Sequence, residues 1–199
     1  MALIRVRHNI EVAHRLFEAI PGDKCEQIHG HSMWVNLTLY GGVNEKGILE
    51  TDIGPLDFGT VKQYFRKHLD ENYDHHLLLN DNDPWADSMF TKEGQRVGEL
   101  PGLHTVPGDP TTEHLSLWIA RWASETFGAD ASVIVNETHV NAAGADWAYG
   151  DQGDDLTDGV TVTRGGVEHP VHLKYMTEEE KKTMGFDPHD AIRKEKAHE

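Results

Sequence analysis

The chain has 199 residues, enough for one domain with a substantial core, or for a smaller domain with appendages. Its 34 acidic residues against 18 basic ones give a net charge of -16, which argues against nucleic-acid binding, since that rests on neutralising phosphates with Lys and Arg. No apolar run approaches the ~20 residues of a membrane span, the opening MALIRVRHNIEVAH has charges where a signal peptide needs an apolar stretch, and a lone cysteine excludes an intrachain disulfide, so a cytoplasmic setting is expected.

Taken in chain order, residues 3 to 13 alternate at their start and predict a strand, followed by a loop containing Pro21, Gly22 and Gly30. In residues 31 to 40, Met33, Val35, Leu37 and Leu39 share one face, so a second strand is expected. Gly41-Gly42 and Asn44 to Gly47 then supply turn chemistry. Phe58, Val61, Phe65 and Leu69 form the apolar stripe of a helix over 56 to 71. A second helix should start at Thr111 or Thr112, carry Leu115, Trp118, Ile119 and Trp122 on its buried face, and stop at Gly128. A strand is expected over 131 to 138.

Residues 81 to 109 have weak periodicity and read as a long inserted loop, a feature often functional when it occurs in a compact domain. From 151 onward an acidic linker precedes a hairpin around Gly165-Gly166 and two short helices in a charged tail. The order of elements predicts an α+β domain over 1–150 and a C-terminal extension over 151–199.

The stretch KCEQIHGH, Lys24 to His31, carries the candidate chemistry. On a strand, residues i and i+2 point the same way, so His29 and His31 can face one point. His14 ends the neighbouring strand, and three imidazoles suit Zn²⁺ in a site that keeps a position open for water or substrate. Cys25 has two readings: a fourth ligand closing a structural site, or a thiol off the metal acting as base or nucleophile, with its pKa lowered by cationic neighbours. Spacing alone does not separate them.

The segments IEVAHRL, KCEQIHGHSM, GPLDFGTVK, YDHHLLLN, PTTEHL and VNET stand in an order and spacing that resembles the 6-pyruvoyl-tetrahydropterin synthase family, over about residues 3 to 147. The C-x-x-x-H-G-H interval resembles its bacterial 6-carboxy-5,6,7,8-tetrahydropterin synthase branch, which serves 7-deazaguanine and queuosine synthesis. The resemblance implies the tunnelling fold, an antiparallel sheet with two helices on one face, assembled as a hexamer of two trimers whose sheets make barrels and whose active sites lie between subunits. It implies zinc on His14, His29 and His31, a catalytic thiol at Cys25 that is not a ligand, and a proton relay completed by Asp74 and His75. It also implies Glu137 as the anchor of a pterin ring, with Thr111, Thr112 and Glu113 lining the pocket. The implied reaction converts 7,8-dihydroneopterin triphosphate to 6-carboxy-tetrahydropterin, releasing acetaldehyde and triphosphate.

Read without the resemblance, several of these residues have plainer roles. Asp74-His75 reads as a helix-end turn with a capping carboxylate, Thr111 and Thr112 as N-caps, and Glu137 as a solvated edge residue. Arg15, Lys24 and Lys62 are candidates to meet the triphosphate. Competing functions are a pyruvoyl-tetrahydropterin synthase, a zinc-dependent dihydroneopterin aldolase, or a pterin- or purine-binding protein with a structural zinc. The 81–109 stretch departs from the compact members and is expected to cover the site or reach a neighbouring subunit. The 151–199 tail is expected to pack on the outside of the oligomer.

Overall fold

The computed structural model describes residues 2–18, 22–89, 91–92, 95–96, 102–151, 160–164 and 167–171. Strand β1 (Ala2–His14) pairs antiparallel with β2 (His29–Val43) along its whole length, from Ala2 opposite Gly41 to His14 opposite His29. Strands β3 (Leu49–Thr51) and β4 (Gly54–Leu56) form a small hairpin on the end of β2. Helix α1 (Phe58–Asn72) is N-capped by Asp57, whose carboxylate accepts from Gly59 N–H and Thr60 N–H.

The region read as a loop is where the structure corrects the sequence. Strand β5 (Leu77–Asn80) directly precedes residues 81–109, which hold α2 (Pro84–Met89), the short pair β6 (Thr91–Lys92) and β7 (Gln95–Arg96), and β8 (Leu103–Val106). Helix α3 (Thr112–Phe127) follows, stopped by Gly128 in the left-handed conformation at φ 58. Strands β9 (Asp130–Asn136) and β10 (Ala142–Trp147) complete the main sheet. A separate antiparallel hairpin of β11 (Val160–Arg164) and β12 (Val167–Val171) stands where one was expected. The two short helices expected in the tail lie outside the described residues.

The sheet runs β10-β9-β2-β1-β5-β8. It is mixed rather than antiparallel as expected, because β5 lies parallel to β1 and β8 parallel to β5. The chain's own sheet is open, not a closed barrel, and ends on β10 at one side and β8 at the other.

Strand alternation divides the two faces. Ile4, Val6, Ile10 and Val12 of β1 and Met33, Val35, Leu37 and Leu39 of β2 are buried on one side, under Val61, Phe65 and Leu69 of α1 and Leu115, Ile119 and Phe127 of α3. Phe58, counted in the α1 stripe, is the first residue of the helix and is 55% exposed. The other face is polar: Asn36 Nδ2 donates to Asn136 Oδ1 at 2.8 Å, and the Arg7 guanidinium lies 4.7 Å from the centre of the Trp34 ring.

Gly41 is required by a close approach. A Cβ there would sit 2.4 Å from the Glu50 carbonyl oxygen. Gly41→Ala must displace β3 or β2, and it is expected to lower stability by about 1–3 kcal/mol, read as a lower urea midpoint at unchanged slope.

The two long helices meet through His68, whose ring stacks on Trp122 at 3.7 Å and 4°. Burial lowers the His68 pKa from 6.5 to about 4. Between those values the unfolded chain takes up a proton that the folded one refuses, so stability is full above pH 6.5 and is lost as pH falls toward 4. Allowing for solvent screening of a partly exposed ring, the loss is expected to be about 1–2 kcal/mol. A His68→Phe variant keeps the stack and should lose correspondingly less stability between pH 7 and pH 4 in denaturant titrations.

Candidate metal centre and active site

The terminal pair of the β1–β2 ladder sets His14 directly opposite His29, and His31 projects from the same face two residues along. Their ring centroids lie 4.5, 5.2 and 5.1 Å apart. The metal-ligating atoms of the three histidines all fall within 4.8 Å of one another. Cys25 is outside that group.

The hydrogen bonds around the rings decide which nitrogens face inward. His14 Nδ1 lies 2.8 Å from the Pro110 carbonyl, and His29 Nδ1 lies 2.8 Å from the Gln27 carbonyl. A carbonyl can only accept, so both Nδ1 atoms donate. In the neutral rings both Nε2 atoms then carry bare lone pairs, and these two atoms stand 3.1 Å apart. Two lone pairs at that distance repel unless a proton or a cation sits between them. Burial, opposed by the Pro110 hydrogen bond but reinforced by the neighbouring imidazoles, pushes the His14 pKa down to about 4, so a proton is disfavoured at neutral pH. The donor set therefore fits a metal cation, with the two carbonyls orienting the ligating rings. The contributions of Pro110 and Gln27 were invisible in the sequence, because they are made through backbone oxygens.

Glu137 follows the end of β9, not within the strand as expected, and its Oε1 lies 3.9 Å from His31 Nε2. Thr112 Oγ1 donates to that same oxygen at 3.0 Å. Thr112 is buried in the first turn of α3, while Thr111 caps the helix by accepting from His114 N–H. Glu113 is half-buried in the same turn. One end of α3 thus meets the carboxylate beside the histidine cluster.

Cys25 sits in a 3-10 turn, Lys24–Glu26, capped by the Asp23 carboxylate, which accepts from Cys25 N–H. Its thiol is half-buried. Burial first, then the hydrogen bond and charge of Asp23, push its pKa up, with a smaller contribution from Glu137. The protein's own charges therefore favour the thiol, against the lowering expected from cationic neighbours.

Asp74 and His75 lie at the exit of α1. Burial works against the Asp74 charge, but the Glu11 N–H at 2.7 Å and the His75 ring at 2.8 Å outweigh it, and the carboxyl is held below its usual range. His75 takes φ 59, the left-handed region, and its side chain is 78% exposed. Its neighbour His76 bonds the Asp74 backbone carbonyl instead of the carboxylate. His75 and His31 border the same cavity, of about 580 Å³, whose lining does not include Cys25.

Residues 3–146 match the family profile described as 6-pyruvoyl tetrahydropterin synthase. The chain belongs to this family. It is similar to the 6-carboxy-5,6,7,8-tetrahydropterin synthase of Rickettsia conorii, at 26% identity over 113 residues that span 55% of this chain and 71% of that protein. The protein of the same name from Rickettsia felis is 27% identical over 47% of this chain and 61% of its own length. Among solved structures, a variant of the Plasmodium vivax 6-pyruvoyltetrahydropterin synthase superposes with a TM-score of 0.55 at 20% identity, over 74% of this chain and 98% of that one. The Plasmodium falciparum 6-pyruvoyl tetrahydropterin synthase gives 0.54 at 18% identity, over 74% and 98%. At these identities the structural likeness shows the shared fold. This chain is thus an enzyme of the tetrahydropterin synthase family, and three of its histidines are placed to hold a metal ion.

Proposed function

We propose that the chain is a zinc-dependent lyase that converts 7,8-dihydroneopterin triphosphate and one water to 6-carboxy-5,6,7,8-tetrahydropterin, with release of acetaldehyde and triphosphate, as an early step toward 7-deazaguanine derivatives. The observation that carries this reading is the convergence of bare imidazole nitrogens beside a carboxylate that Thr112 orients. The Rickettsia relatives named for the carboxy-forming reaction favour it over its sisters.

His14, His29 and His31 would hold Zn²⁺, which when bound supplies electrophilic stabilisation of negative charge developing on the substrate side chain. Glu137 would accept two hydrogen bonds from the amino-pyrimidinone edge of the pterin, which rewards pterins over molecules lacking those donors. Thr112 fixes its rotamer, and Thr111 and Glu113 complete that wall. Cys25 would take a carbon-bound proton and His75, oriented by Asp74, would return one. A zinc charge nearby would draw the Cys25 pKa back down from its raised position.

The site would be completed between subunits. The exposure of His75, and the absence of Cys25 from the lining of the cavity that His75 borders, support a relay assembled from two copies. The open edges at β8 and β10, with the polar sheet face, support a hexamer in which sheets join into barrels.

Incubation of zinc-loaded protein with 7,8-dihydroneopterin triphosphate, followed by identification of both fragments, tests the reading. Acetaldehyde with a carboxy-pterin is the expected result. A pyruvoyl product without acetaldehyde, or glycolaldehyde from dihydroneopterin, would instead assign the synthase or the aldolase. Zinc-bound protein with no turnover would leave a binding protein.

A further inference from the structure

Arg15 leaves β1 directly after His14, and its guanidinium, which also lies 5.4 Å from the centre of the Phe17 ring, is engaged by partners from two parts of the chain. Its Nε donates to the carbonyl of Glu26 at 2.6 Å, and its Nη1 donates to Asp83 Oδ1 at 2.5 Å. Its guanidinium lies 4.1 Å from the centre of the Trp85 ring. The Asp83 side chain is fully buried, its Oδ1 also accepts the Trp85 N–H, and its Oδ2 is buried with no hydrogen-bond partner. A carboxylate in that setting depends on the charge of Arg15.

Those partners join two distant parts of the chain. Glu26 is the residue after Cys25, and the Cys25 carbonyl itself accepts from Leu16 N–H at 2.9 Å. Asp83 and Trp85 open the region between β5 and β8. A second clasp lies beside the first: Asp109 accepts from Phe17 N–H, Glu18 N–H and Asn80 Nδ2. Arg15, a candidate for the triphosphate in the sequence, is 12% exposed with its fork already engaged.

We propose that Arg15, anchored by Asp83 and Trp85, is a positioning residue that fixes where the Cys25 thiol stands relative to the histidine cluster. The role rests on the reading of Cys25 as a proton-transfer group. It makes the segment after β5 a brace for the thiol turn, in addition to any covering of the site.

Arg15→Lys keeps the charge but cannot donate in two fixed directions, and Asp83→Asn keeps the shape but removes the anchoring charge. Because the chain has one cysteine, iodoacetamide alkylation reports on Cys25 alone. Both variants should alkylate about threefold faster or more across pH 6–9, since a loosened turn exposes the sulfur. Zinc content should stay at the wild-type ratio. In turnover, kcat should fall about tenfold or more with KM within about twofold, as expected for a misplaced group acting in the chemical step. Lower thermal stability with unchanged alkylation and kcat would overturn the proposal, since that is what a purely structural ion pair predicts. If either variant is recovered unfolded, Trp85→Leu decides: the residue is 39% exposed, and alkylation at the wild-type rate would overturn the proposal. If wild-type protein does not turn over the pterin, the assigned reaction fails while the alkylation comparison still decides the positioning role.

Discussion

Cys25→Ala protein is expected to keep its zinc and its fold while acetaldehyde release falls about 10²–10⁴-fold, the usual worth of a positioned acid–base group. Three observations set this expectation. Cys25 lies outside the cluster of ligating atoms formed by His14, His29 and His31, so removing its sulfur takes nothing from the metal. Its turn buries no residue, so the substitution should cost less than about 0.5 kcal/mol. Its backbone N–H and carbonyl, bonded to Asp23 and Leu16, are unchanged by the replacement. Metal analysis, thermal unfolding and product assay on the same preparation check the three parts. Loss of zinc together with a large drop in melting temperature would make Cys25 a structural ligand and would remove the proton-transfer role.

The pH behaviour of the same thiol gives an independent reading. In metal-free protein its pKa is pushed up, chiefly by burial, so alkylation should be slow at neutral pH and should accelerate only above the ordinary thiol range. Zinc loading should move that acceleration to lower pH, because a cation nearby favours the thiolate.

How much of this was legible in the sequence depends on whether each signal is local. The alternation in β1 and β2 reports burial of one face directly, and it placed the H-x-H pair and His14 on one side of adjacent strands before any coordinates. The Thr111 cap of α3 and its stop at Gly128 were equally local. Strands β5 and β8 were not, because each is four residues long and gains its partners from parallel pairing across the fold. Strand β10 reads AAGADW, with no alternation, since Gly144 is pressed against β9: a Cβ there would stand 3.1 Å from the Val133 carbonyl.

The same division holds at the site. Side chains that carry chemistry stood out by type and spacing, whereas what orients them did not. The Pro110 and Gln27 carbonyls act through backbone, and the Arg15–Asp83 pair joins residues far apart in the chain. That His75, in the left-handed region, meets the Asp74 carboxylate while His76 meets the Asp74 carbonyl is a matter of backbone geometry that residue type does not report.

His31→Ala separates metal binding from folding better than either of the other ligand substitutions. His14 is 0% exposed and tied to Pro110, so removing it opens a cavity as well as a coordination position. His29 is tied to Gln27 at the edge of the thiol turn, so its loss would disturb Cys25 too. His31 projects from the third residue of β2, with 19% of its side chain exposed, and the β1–β2 ladder passes through its backbone unchanged by alanine. Metal-free His31→Ala should therefore melt close to metal-free wild type. Removing a group that only hydrogen-bonds a metal ligand costs about 10–100-fold in affinity, and removing a ligand must cost more. Zinc at a hundred times its dissociation constant adds about 2.7 kcal/mol to wild-type stability. The variant should show almost none of that gain at the same zinc concentration, and no turnover. Zinc stabilising His31→Ala as strongly as wild type would place the metal elsewhere, and with it the whole reading of the histidine cluster would fail.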